Sequence, residues 1–202
     1  ALPIFMAENK SKEERQYQIL EAAMEVFVIN GYANTRMDDI VRKSGLSKGA
    51  LYHYYPSKKD LFIALIDHWE VYCFPDFYSR NGADRTASET LKDFSKALLD
   101  VFREKKYVFL AEVEFWALSN QDEEINERSK SLYKKLLNLF ELVLQKGVRT
   151  GEFREIDTKA VSLIILTGFQ GINWFCIFGE DQVSPENYIE ESMNILIKSI
   201  KK

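Results

Sequence analysis

The stretch from Thr35 to Leu61 constrains the fold more than any other part of the chain, and it reads TRMDDIVRKSGLSKGALYHYYPSKKDL. It predicts two short helices. Thr35 is a candidate N-cap for the first, and Gly45 can end it in the left-handed conformation. Ser47 is a candidate N-cap for the second, which Pro56 ends. Two short helices joined by a tight turn that contains Gly are typical of a DNA-binding helix-turn-helix.

The second helix of this pair can be interpreted position by position. With Leu51 at the centre of the buried face, Gly49 and His53 point outward at ~100° per residue, and Tyr52 lies beside them. An outward Gly in a short helix costs about 1 kcal/mol against Ala, which suggests that another molecule approaches the backbone there. A base edge or a phosphate of DNA is one such group. The alternative is a surface helix that tolerates a Gly among solvated lysines.

The motifs of this region resemble the N-terminal domain of the tetracycline-repressor-like (TetR) family of transcription regulators. The family pattern contains a first helix ending in Gly-Tyr or Gly-Phe, a Thr, a Gly-hydrophobic-Ser turn, a G-x-L-Y recognition helix and an S-K-x-x-L entry to the fourth helix. The matching positions in this chain are Gly31-Tyr32, Thr35, Gly45-Leu46-Ser47, Gly49-Ala50-Leu51-Tyr52, Ser57-Lys58 and Leu61. The resemblance spans about residues 18–65. In one departure, Tyr54-Tyr55 replaces the usual His-Phe, so that His53 stands one residue before the usual His.

The motif and the resemblance together predict a set of DNA contacts. The resemblance implies a homodimer whose two recognition helices enter successive major grooves of a pseudo-palindromic double-stranded operator, ~34–36 Å apart. Lysines beside the second helix are candidates for phosphate contacts. The predicted DNA-binding residues are Thr35, Arg36, Ser47, Lys48, Gly49, Tyr52, His53 and Lys58.

The rest of the chain predicts an all-α protein of about nine helices, because apolar residues recur at helical spacing and no strand pattern occurs. We expect an N-terminal helix-turn-helix domain over 7–56 and a C-terminal helical domain for ligand binding and dimerisation over 57–202. Residues 1–5 precede the first Met and are expected to be non-native. The segment 77–87 is expected to be a loop. The predicted helices are 8–30, 35–44, 47–55, 57–73, 88–104, 107–119, 123–149, 157–178 and 185–202.

The segment 161–178 carries no charge and approaches transmembrane length. Polar residues spread around it, among them Gln170 and Asn173, favour a core or interface helix over a membrane span. In the resembled family the last two helices form a four-helix dimer interface. We therefore expect a homodimer held by helices near 158–178 and 185–201, with Gly168 and Gly171 allowing a partner helix to come close.

The C-terminal half is rich in aromatic residues, which suggests an apolar or aromatic effector. The resemblance implies a pocket among the fifth to eighth helices. The alternative for each aromatic candidate is plain core packing. The candidate ligand-binding residues are Glu112, Trp116, Phe140, Phe169 and Asn173.

Net charge is −4, but the positive charge is local: residues 36–60 hold six Lys and Arg against three Asp and Glu. This distribution suits a DNA-binding surface on an otherwise acidic protein. The leading hypothesis is a cytoplasmic transcription regulator, most simply a repressor that a small molecule releases from DNA, although an activator fits the same residues. No secretory signal is apparent.

Two other function classes were weighed. An enzyme is not expected, because the chain has only two His and shows no Ser-His-Asp set, Gly-rich phosphate loop or cluster of metal ligands. No cofactor or metal is therefore expected. A helical carrier of apolar molecules that has lost DNA binding would show no salt-dependent affinity for DNA, and the intact Ser47-Lys48-Gly49 motif argues against it.

Overall fold

A computed structural model describes residues 11–73, 85–179 and 182–202, so that the predictions for 1–5 and for most of the 77–87 loop lie outside it. The described residues are helical throughout, apart from turns and one isolated β-bridge. The predicted all-α fold is confirmed, except that the helix predicted over 157–178 is interrupted at Gly171. The helices are α1 (Lys12–Asn34), α2 (Met37–Ser44), α3 (Lys48–Tyr54), α4 (Lys58–Cys73), α5 (Ala87–Glu104), α6 (Tyr107–Ser119), α7 (Glu123–Arg149), α8 (Thr158–Gln170), α9 (Ile172–Phe178) and α10 (Pro185–Ile200).

The chain divides into two compact units, residues 1–65 and 66–202. This division falls inside α4, later than the 56/57 boundary expected from the sequence. The reason is that the first turns of α4 belong to the core of the first unit. Phe62 packs edge-on against Phe27, with ring centroids 5.2 Å apart, and against Tyr32 at 4.8 Å.

The first unit begins with a capping box, in which Ser11 and Glu14 satisfy each other's backbone N–H at the start of α1. Helix α1 was expected to end at Gly31. Gly31 does leave the helical conformation, with φ of 73°, but one further turn follows as far as Asn34. This bend lets Tyr32 stack on Phe27 and close the apolar core.

The prediction that Thr35 caps α2 is wrong. Thr35 is buried, and its hydroxyl donates to the carbonyl oxygen of Gly31 at 2.8 Å, so it stabilises the end of α1 instead. The N-cap of α2 is Arg36, whose backbone N–H donates to the Asp39 carboxylate at 2.8 Å. The end of α2 is as predicted, because Gly45 has a φ of 70°.

In the second unit, the long helix α7 packs against α5, α6 and α8, and α5 also packs against α10. Helix α5 begins at Ala87, one residue before the predicted start at 88, and its N-cap is Thr86. Glu152, from the turn after α7, accepts hydrogen bonds from the backbone N–H groups of Ala87 and Ser88. A carboxylate at this position complements the positive end of the helix dipole.

The apolar segment 158–178 is interrupted at Gly171, where the hydroxyl of Tyr188 donates to the carbonyl oxygen of Gly168 at 2.8 Å. A Cβ at Gly171 would lie 2.2 Å from that hydroxyl oxygen. Gly171 therefore accommodates Tyr188 of its own chain, and not the partner helix that the sequence suggested. A Cβ at Gly168 would meet nothing within 4 Å, so of these two glycines Gly168 is the one that leaves room for a partner helix.

Thr158–Phe178 is the one stretch of the described residues that is long and apolar enough to cross a bilayer, with a mean hydropathy of 1.7. A single stretch of this kind is weak evidence for a membrane span, because core and interface helices share its composition. Large apolar side chains are exposed along this stretch and near α10, among them Leu163, Ile164, Val183 and Ile195. Three further ones, Trp174, Ile177 and Phe178, line one depression, and we call these three residues the apolar face.

Candidate nucleic-acid interface and effector cavity

Helix α3 presents a polar and open face to solvent. Its N-cap is Ser47, whose hydroxyl accepts the backbone N–H of Ala50 at 3.2 Å, and fully buried Leu51 anchors it to the first unit. A Cβ at Gly49 would meet nothing within 4 Å. Tyr52, which is 39% exposed, and His53 lie on the same outward side. The expected orientation of α3 is confirmed, and backbone beside Gly49 is accessible to a bulky partner.

Lys48, at the start of α3, forms an ion pair with Asp38 of α2. Its Nζ lies 2.9 Å from the carboxylate and 5.9 Å from the ring centroid of Tyr52. The hydrogen bond and the charge of Lys48 lower the pKa of Asp38, and Asp38 in turn raises the pKa of Lys48. Both side chains remain more than half exposed, so this is a surface pair that another anion can compete with.

Lys58 occupies a different position from the one its sequence suggested. Its Nζ donates to three carbonyl oxygens at the end of α1, those of Tyr32 (2.6 Å), Ala33 (3.2 Å) and Thr35 (3.0 Å). The ammonium also lies 4.5 Å from the ring centroid of Tyr32, and partial burial lowers the pKa of Lys58. Since an ammonium has three N–H donors, Lys58 is fully used in capping α1. This placement does not favour a phosphate contact.

Two further cations of this region also have acidic neighbours. Arg42 pairs with Asp39, and Lys43 pairs with Glu25 at 2.5 Å. Arg36 is exposed at the start of α2. The local excess of positive charge is thus partly neutralised within the first unit.

In the second unit, three of the polar residues of the apolar core meet at one point. Glu112 of α6 is 4% exposed, and its carboxylate accepts hydrogen bonds from the side-chain amides of Gln170 and Asn173, each at 3.0 Å. Burial raises the pKa of Glu112 to about 7, although both amide hydrogen bonds lower it. Asn173 Oδ1 is buried and has no hydrogen-bond partner among the described residues. An unpaired buried oxygen of this kind is costly unless another molecule satisfies it.

A cavity of 210 Å³ opens beside this cluster, between α6 and α7. It exceeds the ~150 Å³ of an apolar cavity that admits benzene. Most of the surface that faces this cavity is apolar, but six polar residues also line it, namely Glu112, Ser119, Asn126, Ser129, Lys130 and Gln170. The wall includes Phe115, Trp116, Leu132, Tyr133 and Leu136.

A second depression of 380 Å³ lies on the other side of Trp116 and Gln170, which line both. It also contacts Asn173 and the three residues of the apolar face, namely Trp174, Ile177 and Phe178. Trp116 is 42% exposed and separates the two spaces. The structure therefore brings Glu112, Trp116 and Asn173 together, as expected for a shared site.

Phe140 and Phe169 are placed differently. Both are buried, and their ring centroids lie 5.6 Å apart, while Phe140 also packs 5.0 Å from Phe94. The space beside them measures only 10 Å³. They form the packed layer next to the cluster, which is the core-packing alternative left open by the sequence.

The sequence candidates missed Gln170 and the α7 side of the cavity. Gln170 lies three residues before Asn173 in an otherwise apolar segment, and residues three apart share a helical face. That spacing was the available signal for a polar pair facing one partner. Leu132, Tyr133 and Leu136 gave no comparable signal, because an apolar stripe on a long helix is typical of ordinary packing.

Comparison with known families decides the classification. Residues 19–65 match the family described as bacterial regulatory proteins, tetR family, and residues 83–202 match the QacR-like protein C-terminal region. The second match alone covers more than half of the chain. The chain belongs to the TetR family of transcriptional regulators. The helix-turn-helix of its first unit is therefore a DNA-binding element.

Similar TetR-family proteins agree with this assignment. An uncharacterised HTH-type transcriptional regulator, YfiR, from Bacillus subtilis (strain 168) is 27% identical over 95% of this chain and 94% of its own length. Bacillus subtilis FadR, solved with stearoyl-CoA, has a TM-score of 0.77 at 20% identity and covers 91% of this chain and 98% of its own. A putative regulator from Saccharomonospora viridis, solved with choline, has the same TM-score and 20% identity, and covers 95% of this chain and 100% of its own.

These relatives are transcription regulators and not enzymes. At these identities the solved structures show a shared fold, and their two ligands differ in size and charge. Among the described residues of this TetR-family chain, no group of His, Cys, Asp or Glu is arranged to hold a metal ion. The ligands of these neighbours therefore do not identify the ligand of this chain.

Proposed function

We propose that this TetR-family chain is a cytoplasmic, dimeric repressor that a small, largely apolar effector with a hydrogen-bond donor releases from its operator. The observation that carries the proposal is the Glu112 cluster, a buried carboxyl group and an unpaired buried amide oxygen beside an apolar cavity. Burial of such groups without full hydrogen bonding destabilises the fold. Binding of a complementary molecule would offset this cost.

The face of α3 supports the DNA side of the proposal. Gly49 leaves room for a base edge or a phosphate, and Tyr52 and His53 flank it. Side chains on this surface carry both donors and an aromatic ring, which suits contact with bases and the phosphate backbone. The proposed contacts are Arg36, Ser47, Lys48, Gly49, Tyr52 and His53. Buried Thr35 and carbonyl-bound Lys58 are assigned to supporting the α1 terminus.

The apolar face supports the dimer. Trp174 is 68% exposed and Phe178 is 73% exposed, and they lie on one side of α9 with Ile177. Large apolar side chains clustered on a surface are typical of subunit interfaces. Open Gly168 on α8 allows a second copy of the helix to approach closely. A dimer of this kind carries two α3 helices, one for each half-site of a pseudo-palindromic operator.

The chemistry of the cavity suggests the class of effector. Its wall favours rings or short aliphatic groups, and its volume limits the occupant of the inner cavity to a small molecule. An N–H or O–H donor on that molecule would satisfy the Glu112 carboxylate, which lines this cavity. Asn173, whose Oδ1 is unpaired, lines the second depression instead. A larger effector would have to displace Trp116 and extend into the second depression.

Release of DNA requires that the effector prefer the conformation that binds DNA poorly. A difference in affinity of a few kcal/mol between the two states is sufficient to shift the population. By thermodynamic linkage, DNA must then weaken effector binding by the same factor. This reciprocity separates a regulator from a carrier of apolar molecules, in which ligand and DNA are independent.

The test is a thermal-shift screen of small aromatic and aliphatic amines, alcohols and phenols, followed by DNA titration with each hit. We expect hits to raise the melting temperature and to weaken operator binding at least tenfold. Hits that stabilise the protein and leave DNA affinity unchanged would show that the cavity does not control DNA binding. The absence of any hit would assign the aromatic residues to core packing.

Two variants locate the site. Trp116→Ala removes a half-exposed wall of the cavity and should weaken the effector at least tenfold with little loss of stability. Leu142→Ala is the matched control, because Leu142 is an exposed apolar residue of α7 that does not line the described cavities. Equal effects of the two changes would contradict the proposed site.

A further inference from the structure

We infer that Asp38 sets the affinity of this protein for DNA by competing with phosphate for Lys48. The inference depends on the proposed placement of α3 against DNA. It concerns a residue that makes no contact with bases in our proposal and acts through its neighbour. Its role is that of an affinity-limiting carboxylate built into the recognition surface.

The geometry brings the two groups together across the helix-turn-helix. Asp38 lies in the first turn of α2 and Lys48 in the first turn of α3, and their charged atoms are 2.9 Å apart. The side chains are 58% and 63% exposed, respectively, so the pair lies on the surface that carries Gly49 and Tyr52. A phosphate that approaches Lys48 must therefore share it with Asp38 or displace Asp38.

Asp38 is not required for the fold of α2. The carboxylate that closes the N-terminus of α2 is that of Asp39, which accepts the Arg36 backbone N–H and also pairs with Arg42. The charged side chains that act on Asp38 are Lys48 above all, and then Arg42 and Arg36. Neighbouring cations of this surface are already partly matched by acids, so Asp38 removes one more unit of positive charge from it.

The consequence for DNA follows from electrostatics. Each phosphate contact by a free lysine strengthens binding to any sequence, because it releases a condensed counter-ion. A carboxylate beside that lysine weakens the contact, because it competes with the phosphate for the ammonium group. Asp38 therefore lowers affinity for all duplexes alike and leaves selection of the operator to base contacts. Such a restraint increases the fraction of free protein and leaves the ratio of specific to non-specific affinity unchanged.

The size of the effect is bounded by the exposure of the pair. Exposed ion pairs contribute little, so we expect Asp38→Asn to tighten binding about 2- to 5-fold at low salt. The gain should be the same for operator and random duplexes, and it should fade as salt screens the surface. Lys48→Met should weaken binding to both duplexes.

The experiment is a double-mutant cycle measured by fluorescence anisotropy on the full chain, with operator and random duplexes at several salt concentrations. If Asp38 acts through Lys48, then Asp38→Asn should change affinity less than about 1.5-fold in the Lys48→Met background. Asp100→Asn is the matched control, because it breaks an exposed pair with Arg103 in the second unit and changes net charge equally. It should leave DNA affinity within about 1.5-fold of wild type.

Each outcome decides a different point. An equal gain from Asp38→Asn in both backgrounds would overturn the role of Lys48, and weaker binding by Asp38→Asn would show that Asp38 instead orients Lys48 for phosphate. Either result overturns the inference but leaves α3 on DNA. Unchanged affinity in Lys48→Met together with unchanged affinity in Gly49→Leu would remove α3 from the interface and contradict the proposed function itself. Melting curves establish that all variants fold.

Discussion

Two helices of this protein have the same length but expose side chains of opposite polarity. Helices α3 and α9 each contain seven residues, and each leaves one side exposed. The exposed side of α3 carries Lys48, Gly49, Tyr52 and His53, whereas that of α9 carries Trp174, Ile177 and Phe178. The polarity of their buried sides differs in the reverse sense, since that of α3 is apolar and that of α9 includes a polar residue. Leu51 anchors α3, while α9 directs Asn173 to Glu112.

This difference shows how the polarity of an exposed helix face indicates whether its partner is DNA or another subunit. A face with an open glycine, cations and an aromatic ring can remain in water until a polyanion arrives, so it suits reversible contact with DNA. A face of large apolar side chains is costly in water and is typical of a lasting subunit interface. A buried polar residue such as Asn173 indicates a third kind of partner, a small molecule inside the fold.

The strongest test of this comparison replaces the open glycine of α3. Gly49→Leu has room in the free protein, so the fold should persist, but the new side chain fills the space that DNA needs. We expect affinity for the operator to fall to the non-specific level, a loss of about 10³-fold or more. Anisotropy titrations measure it, and circular dichroism checks the fold. Operator affinity that stays within a few-fold of wild type would place the recognition surface elsewhere.

The second test introduces a charge on the apolar face of α9. Trp174→Glu should dissociate the dimer, because each copy would bury an unpaired carboxylate at a cost of about 3 kcal/mol or more. The two copies together should weaken the dimer constant by roughly 10⁴-fold. Sedimentation at micromolar concentration measures it. Ile29→Glu is the control, since Ile29 is an exposed apolar residue of the first unit. A wild-type monomer, or a dimer unaffected by Trp174→Glu, would argue against the interface.

The third test addresses the buried side of α9 through pH. Glu112 has a pKa of about 7 in the folded protein against 4.5 in a free chain, so between these values the folded state holds more protons. The free energy of unfolding should therefore fall as pH rises from about 4.5 to 7, by up to about 3 kcal/mol, and stay low above that. Glu112→Gln should remove this slope. Denaturant melts at pH 5 and 8 measure it, and parallel curves for the two proteins would show that Glu112 ionises normally.

The fourth test contrasts Gly49 of α3 with Gly171, which immediately precedes α9. Gly49→Ala should raise the free energy of unfolding by about 0.5–1 kcal/mol, because Ala is the better helix former and meets no neighbour. Gly171→Ala should lower it by about 1–2 kcal/mol, since the new Cβ displaces the Tyr188 hydroxyl from its hydrogen bond. Urea unfolding of both variants is the measurement. The same sign for both changes would mean that Gly171 does not accommodate Tyr188.

The smallest expected change concerns Lys58 next to α3. Lys58→Met should cost about 1 kcal/mol of stability, because three carbonyl oxygens at the end of α1 lose their donor. The slope of log affinity against log salt should change by less than about 0.3. Lys48→Met should lower that slope by about 1, as expected for a phosphate contact. If Lys58→Met instead lowered this salt slope by about one unit, Lys58 would have to contact a DNA phosphate.

How much could be predicted from the sequence differed between these regions. Caps and turns are local, so Ser47, Gly45 and the orientation of Leu51 could be predicted directly. The destination of a long flexible side chain is not local. Lys58 reaches residues 23 to 26 positions earlier in the chain, and no periodicity indicates which carbonyl groups it finds.

The cavity shows the same limit. Glu112 and Asn173 were identifiable as polar residues in apolar helices, but their hydrogen bond joins positions 61 residues apart. The packing of Phe140 against Phe94 and Phe169 also depends on three helices meeting. The steric surroundings of Gly171 could not be predicted either. The sequence suggested room for a partner helix at Gly171, whereas Tyr188 of the same chain fills that space.

The central claim is that two α3 helices of a dimer read one duplex. Selection of bound fragments from a random duplex library by the wild-type protein, followed by sequencing, tests it most directly. We expect an inverted repeat whose half-site centres lie about 34–36 Å apart, or a multiple of that spacing. Enrichment of a single unrepeated half-site, or no enrichment at all, would contradict it.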